Sequence, residues 1–550
     1  MSIEDKNSVN SNEIRIFGPP GTGKTTRLQA IISDLVTAGV PDTDILVASY
    51  TKTAANNLTN RVSDLSKDSI GTLHSHCYRR IGKHDLMADH IEDFNKDFPS
   101  YALGNSKSHK NSLDEPATDI SFENDADLLL AKYEYNRQQM RPRNVWPRDI
   151  VDFANAYETF KDKNNLIDFT DMIQISLDNQ VAPGTRYAVY DEVQDFSPLQ
   201  LRLVRQWGTR QERFYLAGDD DQAIFTFAGA DPNAFINPPI PADQKIVLDQ
   251  SYRVPQSVQA YADKWIKQIR MREPKEYKPR NDAGMIRRSH LTLDHPQLMQ
   301  EISDKIGAGK TVMLLTTTSK LLTDVIANLR SAGIPFHNPY RRTRGDWNPL
   351  YSGAGVSSSD RLLAFLRPHS EAWGDNARMW TGADLARWCD VLQANKVFKH
   401  GVKTHITALN PFQEIPIDWL TANMKPDALD KAFDLDLDWY KSTLNNSKAR
   451  SMQFPLAIYE QRGAAALQDK PFVTVGTVHS VKGGESDTVY VFPDVSKYAA
   501  ADWQVQGMKR DAIIRANYVA FTRAKEELVL CTASTRYAIN VPAVRTVRTV

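Results

Sequence analysis

The chain has 550 residues, with 67 Lys and Arg against 67 Asp and Glu, so its formal net charge is zero. At ~150 residues per domain, that length accommodates three to four globular units. Hydrophobic residues at 41% and charged residues at 24% exclude whole-chain disorder, collagen and coiled coil, and the neutral balance excludes a general basic nucleic-acid coat, leaving only local patches.

The opening residues, MSIEDKNSVNSNE, are polar and lack the apolar core of a secretory signal. A short apolar strand is predicted at Ile14–Phe17, followed by a glycine-rich turn and a helix. In that helix Leu28, Ile31, Ile32, Leu35 and Val36 share one face, and Gly39 and Pro41 end it. A second strand follows at Ile45–Ser49, the usual opening of a parallel α/β sheet. Further strand-like runs lie at Tyr187–Tyr190, Phe214–Ala217, Ile246–Leu248, Val312–Leu315, Val473–Val475, Val489–Phe492 and Leu528–Leu530. Each is a short apolar run leading into a polar loop, as in buried parallel sheets whose ligands sit beyond the strands' carboxyl ends. After Ser319, a plausible N-cap, Leu322, Val325, Ile326 and Leu329 predict another helix, stopped by Gly333 and Pro335. Residues 83–165 and 369–467 break the pattern and read as mainly helical insertions into two α/β cores. The first carries a polar segment from Leu103 to Asp127, and the second carries Trp373, Trp380, Trp388 and Trp419. Cys77, Cys389 and Cys531 are far apart and form no CxxC pair, which suits a reducing compartment. No apolar run approaches the ~20 residues that span a bilayer. A soluble, cytoplasmic protein is expected.

Gly18-Pro19-Pro20-Gly21-Thr22-Gly23-Lys24-Thr25 fits GxxxxGK[ST], between a predicted strand and a predicted helix. Backbone N–H groups of such a loop, with the helix N-terminus behind them, close on phosphate oxygens. Lys24 would reach the β/γ-phosphates and the Thr25 hydroxyl would ligate Mg²⁺; Thr26 lies in the same cradle. This alone leaves kinases, GTPases and many ATPases open. Asp191-Glu192-Val193-Gln194-Asp195 ends another apolar strand. There Asp191 is placed for a second Mg²⁺ contact and Glu192 to polarise an attacking water, favouring hydrolysis over transfer to a small acceptor.

These residues resemble the UvrD/Rep-like helicases of superfamily 1, branch A. The loop and Asp191–Asp195 resemble motifs I and II. Ser49-Tyr50-Thr51-Lys52-Thr53-Ala54-Ala55 resembles motif Ia, Gly71-Thr72-Leu73-His74-Ser75 motif Ib, and Asp168-Phe169-Thr170-Asp171 the stretch upstream of motif II. Gly218–Ala230 resembles motif III, Tyr252-Arg253 motif IV, Thr477–Glu485 motif V and Arg515–Ala524 motif VI. The set runs in order over residues 14–531.

The resemblance implies two RecA-like P-loop cores with parallel sheets, each carrying a helical insertion. The expected division is 1–82 with 166–253, insertion 83–165, 254–368 with 468–550, and insertion 369–467. The second insertion is short for that family. The implied activity is an ATP- and Mg²⁺-dependent helicase moving 3′→5′ on single-stranded DNA. A translocase that strips proteins without unwinding, and a small-molecule P-loop kinase, are the alternatives. Lys24, Thr25 and Asp191 would hold Mg·ATP, with Glu192 as general base and Gln222 sensing the γ-phosphate. Arg253 and Arg523 would be arginine fingers, Tyr252 would stack on adenine and Glu485 would hold the ribose. Tyr50, Thr51, Thr72, His74, Phe227 and His479 would lie along the DNA strand. For His74 and His479 a buried, hydrogen-bonded histidine is about as good an account.

Arg270, Arg272, Lys275, Lys278, Arg280, Arg287 and Arg288 make a basic run, and Arg341, Arg342 and Arg344 a second. Either could bind phosphates, although a solvated basic face is the commoner origin of such runs. Three departures stand out. Residues 1–17 contain no Gln of the kind that reads adenine in the family, Ala228 replaces its usual Arg in motif III, and Gly484 stands at a common Leu. The chain also stops soon after motif VI, without the longer tail of larger relatives. Expected partners are single-stranded and tailed duplex DNA and replication or repair proteins, with no membrane and a monomeric or weakly oligomeric state.

Overall fold

The computed structural model describes residues 10–50, 65–66, 68–104, 124–340, 348–351 and 355–542. Thr51, most of the Ia-like run, most of the polar segment after Leu103 and the cluster Arg341, Arg342 and Arg344 lie outside these residues. Two six-stranded sheets organise the chain, in keeping with the expected pair of RecA-like α/β cores. The chain forms two compact units, Met1–Ser289 with Leu315–Thr318 and Thr477–Val550, and His290–Leu314 with Ser319–Gly476.

In the first unit, strands β1 (Glu13–Phe17), β2 (Ile45–Ser49), β3 (Ile70–Thr72), β4 (Tyr187–Asp191), β5 (Arg213–Gly218) and β6 (Lys245–Val247) form a sheet in the order β3-β2-β4-β5-β1-β6. All five pairings are parallel. β2 is buried along its whole length, as expected where helices cover both sheet faces. Helix α1 (Lys24–Thr37) buries Leu28, Ile31 and Ile32 against it, with Leu35 and Val36 half-buried. Gly39, at φ +82°, turns the chain out of the helix. The strand order sets the carboxyl ends of β4, β5 and β1 side by side, and the Gly18 amide donates to the Gly218 carbonyl at 3.1 Å. Ligand-binding loops of α/β sheets gather at such ends.

Residues 83–165 are mainly helical in their described parts. Helices α2 (Asp125–Gln138) and α3 (Arg148–Asn164) pack over a core that includes Phe94, Tyr133, Phe153, Tyr157 and Phe160. Beneath them Arg137 reaches Asp168 at 3.0 Å and Asp171 at 2.6 Å, and Lys161 meets both carboxylates at 2.6 Å. The Asp168–Asp171 stretch thus anchors the helices to the sheet's own helix α4 (Phe169–Asp178).

The first unit also holds β7 (Gln250–Pro255), helix α5 (Gln256–Ile266), and strands β8 (Met285–Arg288), β9 (Ser486–Val491) and β10 (Ala524–Leu530), paired in parallel as β8-β10-β9. Trp265 of α5 is buried and stacks on Trp503 with ring centroids 5.8 Å apart and planes 9° from parallel. Its indole N–H donates to the Ile514 carbonyl at 2.8 Å, and the Arg510 guanidinium lies 4.6 Å from the Trp503 ring centre. In the second unit, residues 369–467 are helical in their regular parts, around buried Trp380 and Trp388, whose rings are 5.2 Å apart. The expected N-cap at Ser319 is corrected. Ser319–Leu321 form a 3₁₀ turn, and the α-helix Leu322–Ser331 starts after it with Leu321 as its cap residue. Its inward face is as read, with Leu322, Val325 and Leu329 buried and Ile326 half-buried.

Candidate active site

The loop between β1 and α1 is shaped by its glycines. Gly21 and Gly23 have φ of +74° and +79°, a region that L-residues with side chains disfavour. A Cβ on Gly18 would lie 2.1 Å from Cγ of Lys24, so only glycine lets the Lys24 stem lie across the loop. The Lys24 ammonium donates to the Gly18 carbonyl at 2.5 Å. Gly23 caps α1 in the left-handed conformation with no side-chain cap, so the first helical N–H groups face the loop's interior.

At the end of β4, the Thr25 hydroxyl donates to Oδ2 of Asp191 at 3.2 Å. Asp191 is 2% exposed; burial, and then the neighbouring Glu192 carboxylate, push it up to about 7 against the pull of Lys24. A hard oxygen-ligated cation would reverse that shift. A hydroxyl beside a buried, destabilised carboxylate is therefore a donor set that fits Mg²⁺. Glu192 behaves oppositely. Burial works against its charge, but Lys482, Lys24 and the Gln194 amide outweigh it and hold the carboxyl at about 2. Its backbone is left-handed at φ +55°, a strain that clusters at functional sites. The turn is held by the Glu192 amide donating to Asp191 Oδ1 at 2.9 Å and the Gln194 amide donating to Glu192 Oε2 at 2.5 Å.

Distant segments close on these groups. Asp219 N donates to Gln194 Oε1 at 3.0 Å, and the Gln222 amide donates to Asp219 Oδ2 at 2.7 Å. Arg523 Nη2 donates to Gln222 Oε1 at 3.1 Å, and its Nε and Nη1 are taken by the Val519 and Gly484 carbonyls. Burial, and then Arg253, lower Arg523 to about 9, opposed by Glu192 and Glu485. It stays charged at neutral pH. Arg253 pairs with Glu485 at 2.6 Å. β7 is clasped to the loop, with Tyr252 N donating to the Gly21 carbonyl at 2.8 Å and the Ser251 hydroxyl donating to the Pro20 carbonyl at 2.8 Å. The Tyr252 ring itself is 72% exposed, an open aromatic face beside the phosphate loop. Thus Lys24, Thr25, Asp191, Glu192, Gln222, Tyr252, Arg253, Glu485 and Arg523 converge within one unit.

Residues 2–238 match the model of the UvrD/REP helicase N-terminal domain. Over those residues, a little under half of the chain, it is similar to the UvrD/Rep-like helicases. It is similar to the putative ATP-dependent DNA helicase YjcD of Bacillus subtilis, 23% identical over 604 aligned positions that take in 95% of this chain and 77% of the relative. It is also similar to the ATP-dependent DNA helicase PcrA of the same organism, 27% identical over 346 positions, 56% of this chain and 43% of the relative. A probable DNA helicase II homolog of Mycoplasma capricolum is 26% identical over 304 positions, 49% of this chain and 41% of the relative. The chain thus spans less than half the length of the last two.

The residues expected along a strand of DNA divide into two places. Tyr50, Phe227 and His479 gather round the buried Phe225, with ring centroids 5.5 Å (Tyr50–Phe225), 6.0 Å (Phe225–Phe227) and 5.3 Å (Phe227–His479). Burial lowers His479 to about 4, so it presents a neutral ring. Thr72, paired across β2–β3 with Ser49, accepts from the Ser75 amide and caps the helix Leu73–Ile81. His74 on that helix meets the Phe169 ring edge-on at 6.1 Å. Thr51 lies outside the described residues.

The basic run 270–288 is corrected in part. Lys275 is buried among Asp219, Asp220 and Asp221, and Arg272 forks onto Asp221 at 2.9 and 2.6 Å. These two are neither a solvated face nor a phosphate site, because the acids of the III-like run fold onto them. Lys278, Arg280 and Arg287 pair with Asp249, Asp282 and Glu527. Gln194 and Lys482 also belong to the site and were not expected there from the sequence. Lys482 contacts Asp195 and lies 3.3 Å from Glu192 Oε2 and 3.1 Å from the Gln222 carbonyl. Its signal was a single Lys followed by two glycines inside the V-like run.

Among the described residues no helix is long and apolar enough to cross a membrane.

Proposed function

We propose that this protein is an ATP- and Mg²⁺-dependent motor that moves 3′→5′ along single-stranded DNA and unwinds duplex. The observation that carries the reading is the meeting of Lys24, Thr25, Asp191 and Glu192 with Gln222, Arg253 and Arg523 around one phosphate loop. The names of relatives, ATP-dependent DNA helicases, agree with it. Glu192, held ionised, takes the proton of the attacking water, and the two arginines meet charge developing on the transferring phosphoryl group. Mg²⁺ held by Thr25 and Asp191 would neutralise phosphate charge. Tyr252 would stack on the base and Glu485 would hold the ribose. Tyr50, Phe227 and His479 would offer ring faces to bases, with stacking worth ~1–3 kcal/mol per base.

In this reading residues 1–82 with 166–253 and 254–368 with 468–550 are the two motor cores, and 83–165 and 369–467 are their insertions. The protein works in the cytoplasm on single-stranded or tailed duplex DNA, beside replication or repair proteins, as a monomer or weak oligomer. Phosphate release should rise with single-stranded DNA, and Lys24→Ala should abolish it; a DNA-indifferent rate overturns the motor. Strand displacement on 3′-tailed and 5′-tailed duplexes tests polarity. Translocation without displacement would instead favour a protein-stripping translocase.

A further inference from the structure

Outside the groups just assigned, a dense cluster of charge is buried and has no part in the mechanism above. Asp219, Asp220 and Asp221 follow β5, each at most 1% exposed. The Lys275 ammonium has three N–H donors, and three carboxylates meet it: Asp219 Oδ1 at 3.0 Å, Asp221 Oδ2 at 3.1 Å and Asp220 at shorter range. Burial disfavours the charge on Lys275, but Asp221, Asp219 and Asp220 more than restore it, so it stays protonated. Arg272 holds Asp221 from the other side, and Arg515 Nε donates to the Asp220 carbonyl at 2.9 Å.

The cluster connects to the site through one side chain. Asp219 gives Oδ1 to Lys275 and Oδ2 to the Gln222 amide, and Gln222 turns its oxygen to Arg523. An amide that donates on one side has its oxygen fixed toward the other. While Asp219 Oδ2 accepts from its amide, Gln222 has one orientation, with Oε1 on the arginine. Without Lys275, Arg272 is the one remaining side-chain cation paired with the three carboxylates among the described residues. Asp219 then has no cation on Oδ1 to hold its carboxylate in place, so Oδ2 no longer fixes the sense of the Gln222 amide.

We infer that Lys275, which lies in none of the helicase-like motifs, is a positioning residue that acts through Asp219 to orient Gln222 and Arg523 for phosphoryl chemistry. The inference rests on the nucleotide-hydrolysis reading of the site. Its chemistry predicts a loss in turnover, not in nucleotide binding, because Lys24 and the loop amides do not touch the cluster.

The test is a double-mutant cycle on the full chain, measuring DNA-stimulated phosphate release and ATP affinity for wild type, Lys275→Met, Gln222→Ala and the pair. Lys275→Met should lower kcat on the order of 10- to 100-fold, the range that misplacement of a reacting group produces, with ATP affinity changed by less than about threefold, since uniform binding is untouched. In the Gln222→Ala background the same substitution should cost almost nothing more, because residues acting as one unit are not additive. Asp219→Asn keeps the volume and removes the charge; it should show the same pattern and carries the test should Lys275→Met not fold. Equal losses in both backgrounds, or wild-type turnover in both single variants, overturn the inference and leave the site reading standing. No hydrolysis by the wild-type protein overturns both.

Discussion

Replacing Glu192 by Gln separates chemistry from binding at this site. The substitution keeps the shape of a side chain that accepts the Gln194 amide at 2.5 Å and lies 3.3 Å from Lys482. It removes the carboxylate that burial would otherwise neutralise and that Lys482 and Lys24 hold ionised, with the carboxyl at about 2. The phosphate cradle of Gly18, Lys24 and the α1 N-terminus is untouched, as is the Thr25–Asp191 pair. A positioned general base is worth ~10²- to 10⁴-fold, or about 2.7–5.4 kcal/mol of barrier at 1.36 kcal/mol per decade. Phosphate release at saturating ATP and single-stranded DNA should therefore fall by on the order of 10²- to 10⁴-fold. ATP affinity, followed by competition with a fluorescent nucleotide, should stay within about threefold, because ground-state contacts are unchanged. Turnover within fivefold of wild type (a change of only about 1 kcal/mol) would refute Glu192 as the base.

Gly21→Ala should weaken nucleotide binding about tenfold or more, since a side chain at φ +74° alone costs about 1–2 kcal/mol. Its Cβ would also lie 2.5 Å from Cβ of Arg253, and ATP titration measures the loss. Asp168→Asn strips one carboxylate from between Arg137 and Lys161 and should destabilise the protein by about 3–5 kcal/mol, read by urea unfolding. His76 is buried, with its ring bonded to the Val47 carbonyl and its Nδ1 unpartnered, and burial lowers it from 6.5 to about 3. It is neutral in the fold, so its contribution is full above pH 6.5 and is lost as pH falls from there toward 3. At pH 5 the loss is about 2 kcal/mol. His76→Gln should flatten the melting-temperature profile between pH 7.5 and 5, and an unchanged slope would count against this.

What could be read from the linear chain was what is local in it. The phosphate loop, Asp191 and Glu192 lie within a few residues of strands whose apolar runs announce them, and β2 begins and ends where its own apolar run predicts. Partners joined only by folding were not legible as pairs. Arg523 meets Gln222 across 301 positions and Arg253 meets Glu485 across 232. Lys275 counted as one member of a basic run because its three carboxylates lie more than fifty positions upstream. The Ser319 cap failed for a smaller reason: composition marks a helix start, but one 3₁₀ turn moves the first α-helical residue along the chain.

The parallel indoles of Trp265 and Trp503 give the molecule an optical consequence. Stacked chromophores at this spacing share their excited states, so they produce a paired signal in circular dichroism that neither would give alone. One indole is hydrogen-bonded to the carbonyl of Ile514 and the other is covered by Arg510. Both of those residues belong to the helix Met508–Phe521, which also carries Arg515 and leads directly to Arg523. The native polypeptide thus contains its own spectroscopic gauge of whether that helix is seated, without any added dye.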